Sequence, residues 1–193
     1  MRALLVIDVQ ESFRQRENWA VISDPNIAAK VSQLVEHSRR AGDAVLWVLH
    51  VEPGTGNVFD PELGFTRPIE GLEPISAEPI FTKTSHNASS ATGLQQYLVS
   101  HGIDELRICG IRTEQCCETT ARVASDFGYP VEFVINATAT QPIEHWTAEA
   151  GRSFTEVLAD PLTLGTNEII ERTSYALAGR FASIVTLDEV LSR

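Results

Sequence analysis

Positive charge is scarce in this chain: 15 lysines and arginines stand against 26 aspartates and glutamates, and they form no long basic run. The formal net charge is -11 and the pI is near 4.8. That balance argues against a nucleic-acid partner, because a phosphate backbone would be repelled. No apolar run reaches the roughly 18 residues that a membrane helix needs, so no membrane partner is expected. The apolar stretch before Asp8 is too short for a signal peptide and lacks a small-residue cleavage site. Cysteine is also sparse. Cys109, Cys116 and Cys117, two of them adjacent, make no disulfide framework and point to a reducing, cytoplasmic setting. Internal repeats and low-complexity tracts are absent. What remains is ordinary globular composition, 43% hydrophobic and 21% charged, in 193 residues. A single domain over residues 1–193 is expected.

Apolar runs and helical periodicities alternate along the chain. Ala3 to Ile7 reads as a buried strand ending at Asp8. Ile27, Val31, Leu34 and Val35 recur at helical spacing, and Ala41-Gly42 closes that helix. Ala44 to Val51 is a second strand, and residues 52 to 78, rich in Pro, Gly and Glu, an irregular excursion. A short strand, Glu78 to Thr82, ends at Lys83. Leu94, Leu98 and Val99 mark one face of a helix that Gly102 terminates. Strands follow at Leu106 to Gly110 and Val131 to Ile135. Glu144 to Leu158 reads as helical before Asp160-Pro161 breaks it, and residues 141 to 166 look like an insertion. A helix over Glu168 to Phe181, with Ile169, Ile170, Tyr175 and Leu177 at helical spacing, precedes a last strand at Ile184-Val185 and a helix over Leu187 to Leu191. This alternation predicts an α/β fold: a doubly wound, mostly parallel six-stranded sheet with helices on both faces, an α/β/α sandwich.

In such sheets the functional site lies outside the carboxyl ends of the strands. Three reactive side chains fall there: Asp8, Lys83 and Cys116. Each has a plain alternative as a turn residue, a solvated lysine or a buried small hydrophobe. Their coincidence at one edge favours chemistry. Gly110 to Ala121 is the most informative segment, with Thr113 at a helix N-cap position and Cys116 in the first turn. Unpaired N–H groups and the helix dipole there favour a thiolate. A carboxylate can serve as the base for a thiol that attacks a carbonyl, and a nearby ammonium stabilises both charges.

These motifs resemble the isochorismatase-like cysteine hydrolase superfamily, which includes nicotinamidases, N-carbamoylsarcosine amidohydrolases and isochorismatases. Four stretches carry the likeness: Leu4 to Phe13, Lys83 to Leu94, Gly110 to Ala121, and Phe181 to Leu191. The resemblance implies Cys116 as nucleophile, Asp8 as general base and Lys83 as the charged third member. It implies a cis peptide between Ile111 and Arg112, with the N–H groups of Arg112 and Cys116 forming an oxyanion hole. Phe13, Ser89 and Arg112 are implied substrate contacts.

The departures matter too. Arg112 stands where the family usually has a small apolar residue. Its fork suits a substrate carboxylate; alternatively it points away and pairs with an acid such as Glu114. Ser89 replaces a pocket aromatic, and Asn136 replaces a usual aspartate. His86 and Asn87 are further residues of the lysine loop, with solvated positions as the plain reading. Trp146 and Phe154 suit a lid or an oligomer contact. Nicotinamidases of the superfamily carry an Asp-x-His pair and a further histidine after the second strand. This chain has His50-Val51-Glu52, read as loop residues, so neither a metal nor another cofactor is expected. The expected function is hydrolysis of a C–N bond in a small amide or carbamoyl compound through a Cys116 thioester. The alternatives are vinyl ether hydrolysis with Asp8 as acid, and a catalytically silent binding or assembly protein. A homo-oligomer, dimer or higher, is expected.

Overall fold

The computed structural model describes residues 1–193. Its centre is one six-stranded sheet, ordered β3-β2-β1-β4-β5-β6. The strands are β1 (Arg2–Ile7), β2 (Ala44–His50), β3 (Ile80–Lys83), β4 (Glu105–Ile111), β5 (Val131–Ala139) and β6 (Ser183–Val185). Every neighbouring pair is parallel. Both faces are covered, which is why β1 reads as a near-continuous apolar run rather than an alternating one.

Two hydrophobic cores flank the sheet. On one face α2 (Ile27–Ala41) sets Ile27, Val31, Leu34 and Val35 against Leu4, Val6 and Trp47, and α7 (Leu187–Leu191) joins it through Leu187 and Val190. On the other face α3 (Leu94–Ser100), α4 (Glu118–Asp126) and α6 (Thr166–Leu177) pack Leu94, Leu98, Ala121, Ala124 and Leu177 against Leu5, Ile7 and Ile108. Fully burying one such Leu or Ile side chain contributes roughly 1.5–3 kcal/mol. A short α1 (Glu11–Arg14) follows β1 directly, and α5 (Phe154–Ala159) lies in the excursion after β5.

Three expectations need correction. Helix does not run from Glu144 to Leu158; only Phe154–Ala159 is helical there. Ser153 caps it, accepting from the Glu156 N–H while Glu156 accepts from the Ser153 N–H, and this reciprocal box sets the start. Val99 is 67% and Tyr175 78% exposed, so neither lies on a buried face. The buried stripes step by four, Leu94 to Leu98 and Ile169 to Thr173 to Leu177, and Val99 and Tyr175 lie off them.

β5 is longer than its apolar run suggested. Ile108 pairs with Phe133, but Gly110 pairs with Thr138, so β5 bulges between them. The bulge frees Asn136, whose Oδ1 accepts the Leu187 N–H at 2.7 Å and anchors α7. The excursion closes on itself where Ile143 and Leu164 exchange two backbone hydrogen bonds of 3.0 and 2.8 Å.

Candidate active site

The carboxyl ends of β1, β2, β3 and β4 converge, and the backbone there is unusual. Asp8, directly after β1, has φ +52°, a conformation that costs a residue with a Cβ about 1–3 kcal/mol. Gly110 has φ +136°, and a Cβ there would stand 1.9 Å from the Ile7 carbonyl oxygen, so only glycine lets β4 pass β1 this closely. The next peptide bond, Ile111–Arg112, is cis, as the resemblance implied. A π-helical turn, Thr113–Cys117, then carries the chain into α4.

These elements bring the three predicted side chains together. Lys83 Nζ lies 2.7 Å from Asp8 Oδ2 and 3.3 Å from Cys116 Sγ. All three residues are buried, Asp8 completely. Asp8 Oδ1 has no well-formed hydrogen bond. Burial is the largest influence on Asp8 and pushes its carboxyl up, against the pull of Lys83, Cys116 and His50. Burial alone would push the Lys83 ammonium down, but the charges of Asp8 and Cys116 outweigh it and hold it up. The Cys116 thiol is pushed up to about 12, first by burial and then by Asp8, with Lys83 opposing.

Burial and the Asp8 charge thus work against the thiolate that a helix start favours, and Lys83 works for it. Two N–H groups of the turn, those of Gln115 and Cys117, are engaged by the Arg112 carbonyl at 3.2 Å each and do not face the sulfur. Thr113 is not an N-cap either; its hydroxyl donates to Thr138 Oγ1 at 2.9 Å and pins the turn to β5. Cys109 and Cys117 are buried, and burial pushes both thiols up.

Cys116 opens on a cavity of about 130 Å³ bordered by Asp8, Phe13, His50, Arg112 and Gln115. Arg16, Glu52, Phe59 and His86 complete its wall. A larger cavity, about 420 Å³, lies by Trp19, Asn26 and Ile69, but neither cysteine nor lysine lines it. Phe13 stands edge-on to Phe59 at 5.1 Å, giving the cavity an aromatic side.

Arg112 does both things expected of it in part. It borders the cavity, yet its Nη2 lies 3.1 Å from Glu114 Oε1 and donates to the Gln141 carbonyl at 3.4 Å. Its charge is thus already paired, with Glu114 held in turn by the Thr140 hydroxyl at 2.5 Å.

Ser89 does not border the cavity. Asn87 Oδ1 accepts the N–H groups of Ser89 and Ser90, and this local turn leads the chain away. Ala88 is buried instead, its N–H donating to Thr120 Oγ1. His50 and Glu52 are not loose loop residues. His50 ends β2 in register with Lys83, and His50 and Glu52 both border the cavity. Gln10, unremarked in the sequence, is fully buried and clamps the main chain of His50, donating to its carbonyl at 3.0 Å and accepting its N–H at 2.8 Å. A polar residue breaking the apolar run right after Asp8 was the available signal. No three His, Cys, Asp or Glu side chains are grouped to hold a metal ion.

A parallel sheet thus brings a buried thiol, carboxylate and ammonium together at its carboxyl edge. An isochorismatase-domain profile matches residues 2–164, and the chain belongs to the isochorismatase family. An isochorismatase family protein of Bacillus subtilis is 26% identical over 99% of this chain and 95% of its own length. Nicotinamidase 3 of Arabidopsis thaliana is 31% identical over 72% of this chain and 73% of that one. Among solved structures, an isochorismatase from Pseudomonas putida superposes with a TM-score of 0.81 at 25% identity, covering 97% of this chain and 89% of that one.

Proposed function

We propose that this protein hydrolyses a C–N bond of a small amide or carbamoyl compound through a thioester on Cys116. The observation that carries this reading is the buried contact of Lys83 with both Asp8 and Cys116, at 2.7 and 3.3 Å. Asp8 Oδ1, free of other partners, receives the thiol proton as Sγ attacks the carbonyl carbon. The N–H groups of Arg112 and Cys116 receive the oxyanion. As the tetrahedral adduct collapses, the C–N bond breaks and Asp8 returns its proton to the leaving nitrogen. Water then attacks the thioester, the carboxylic acid leaves and the thiol is restored. Lys83 keeps Asp8 ionised in a site whose burial opposes charge. The scheme needs neither metal nor other cofactor. Phe13 and Arg112 border the substrate, and the small cavity suits a compact acyl group.

A similar chain called a nicotinamidase supports amide over vinyl ether chemistry. Intact-mass analysis after incubation with a library of primary amides and activated esters tests the reading. The expected result is an acyl adduct on Cys116 that decays in buffer and is absent in Cys116→Ala. Substrate consumption that persists in Cys116→Ala would point to the ether-cleaving route with Asp8 as acid. No adduct and no turnover would point to a silent binding protein.

A further inference from the structure

One arginine at the catalytic cavity has no counter-charge. Arg112 borders the cavity but is paired with Glu114. Glu52 has both oxygens engaged, one 3.1 Å from His50 Nε2 and the other accepting from Asn57 Nδ2 at 2.5 Å. Arg16 borders the same cavity, and its exposed guanidinium makes no ion pair or hydrogen bond. Its main chain is fixed on both sides: its N–H donates to the Phe13 carbonyl at 3.2 Å, and its carbonyl accepts the Trp19 N–H at 3.0 Å. Burial lowers the Arg112 guanidinium, Glu114 opposes this, and the charge of Arg16 adds to the lowering. Arg16 thus sets a second positive charge close enough for Arg112 to feel it, and like charges at one site favour an anion beside them.

A second cavity, about 260 Å³, shares Arg16, Glu52 and Phe59 with the catalytic one and adds Asn57 and Val58. Arg16 and Asn57 are exposed, so this second cavity lies toward solvent. In acyl transfer the acyl group stays on Cys116 while the amine departs, so the amine side of the substrate belongs toward solvent. We infer that Arg16 is a specificity-determining residue that binds a carboxylate on the amine side of the substrate, the part held in the second cavity. The substrate class is then an amide whose amine carries a carboxylate. The inference rests on acyl transfer to Cys116 and adds what the leaving group must carry. A guanidinium fork matches a carboxylate with two parallel hydrogen bonds. With a net charge of -11 the protein as a whole repels anions, so a local cation has to supply the attraction.

The probes are 4-acetoxybenzoate and 4-acetoxybenzamide. Both deliver the same acetyl group to Cys116, and their leaving phenols differ in carrying a carboxylate or a neutral carboxamide at the far end. Acetylation is followed by intact mass and phenol release by absorbance. Arg16→Gln removes the cation, and Arg16→Lys keeps a charge without the planar fork. Arg14→Gln is the control: it removes an equal charge nearby in the chain, from a residue that pairs with Glu11 and does not border the catalytic cavity.

The expected result is a carboxylate-to-carboxamide ratio of kcat/KM that falls about tenfold in Arg16→Gln, is partly restored in Arg16→Lys and is unchanged in Arg14→Gln. The fall should appear in KM rather than kcat, because the contact is made alike before and during the reaction. An unchanged ratio in Arg16→Gln overturns the inference. So does an equal fall in Arg14→Gln, which would mean diffuse attraction rather than a contact. Failure of both probes to acetylate Cys116 in the wild-type protein overturns the acyl-transfer reading itself.

Discussion

At the scale of single residues, Asp8 and Lys83 act on the Cys116 thiol with opposite sign. Asp8 helps raise the thiol and Lys83 pulls it down. Asp8→Asn removes a neighbouring negative charge, so the thiol should ionise at lower pH and take up iodoacetamide faster, while hydrolytic turnover is lost with the base. Lys83→Ala should do the reverse, raising the thiol further and slowing alkylation. Peptide mapping of Cys116 labelling across pH measures both; matching shifts in the two variants would mean that charge does not set the thiol's behaviour. The same charges set the pH profile of turnover. Burial raises Asp8 and Lys83 opposes the rise, so the acidic limb of kcat/KM should lie above the range of an ordinary aspartate. Residual activity in a Lys83→Gln variant should show that limb displaced upward again. These signs could not be read from the sequence. A cysteine at a helix start suggests a thiolate, whereas burial pushes the thiol the other way.

At the scale of elements, α4 and the turn before it are held by a carboxylate. Glu118 is 5% exposed and accepts from Arg122 on its own helix and from Arg172 and Thr173 on α6. Removing it leaves the inward Thr173 hydroxyl without its acceptor at the joint between the helices, while the Arg122 and Arg172 side chains, 33% and 59% exposed, keep water as a partner. Glu118→Ala should cost about 1–2 kcal/mol of stability, measured by urea denaturation, most of it from the unpaired Thr173 hydroxyl. A loss near zero would mean that apolar packing alone joins α4 to α6. Arg107 is the counterpart at the far end of β4. It is 1% exposed in a run that reads as apolar, and it is compensated by Glu132 at 2.6 Å. The run was legible as a strand, but the partner residue lies on β5, beyond any local pattern.

At the scale of the whole molecule, apolar surface gathers on the excursion after β5. Trp146 is 88%, Leu162 60% and Leu164 45% exposed. Large apolar side chains exposed along one segment suit a contact surface, and self-association through this excursion is the expected outcome. Sedimentation velocity should report a dimer or larger species, weakened by a Trp146→Ser change. A monomer at micromolar concentration would remove that expectation. With a net charge of -11, association should strengthen with added salt as like charges are screened. No helix is long and apolar enough to cross a membrane.

The sequence by itself determined the strand–helix alternation, the parallel sheet, and the placing of Asp8, Lys83 and Cys116 at one edge. Each of these follows from periodicity within a few residues and from the rule that parallel strands share a direction. Only the tertiary structure decided how burial shifts Asp8, Lys83 and Cys116, and that Gln10 fixes His50. These depend on burial and on partners distant in the chain, such as Gln10 and His50, 40 residues apart. Local patterning carries no record of the dielectric surroundings or hydrogen-bond partners that folding supplies.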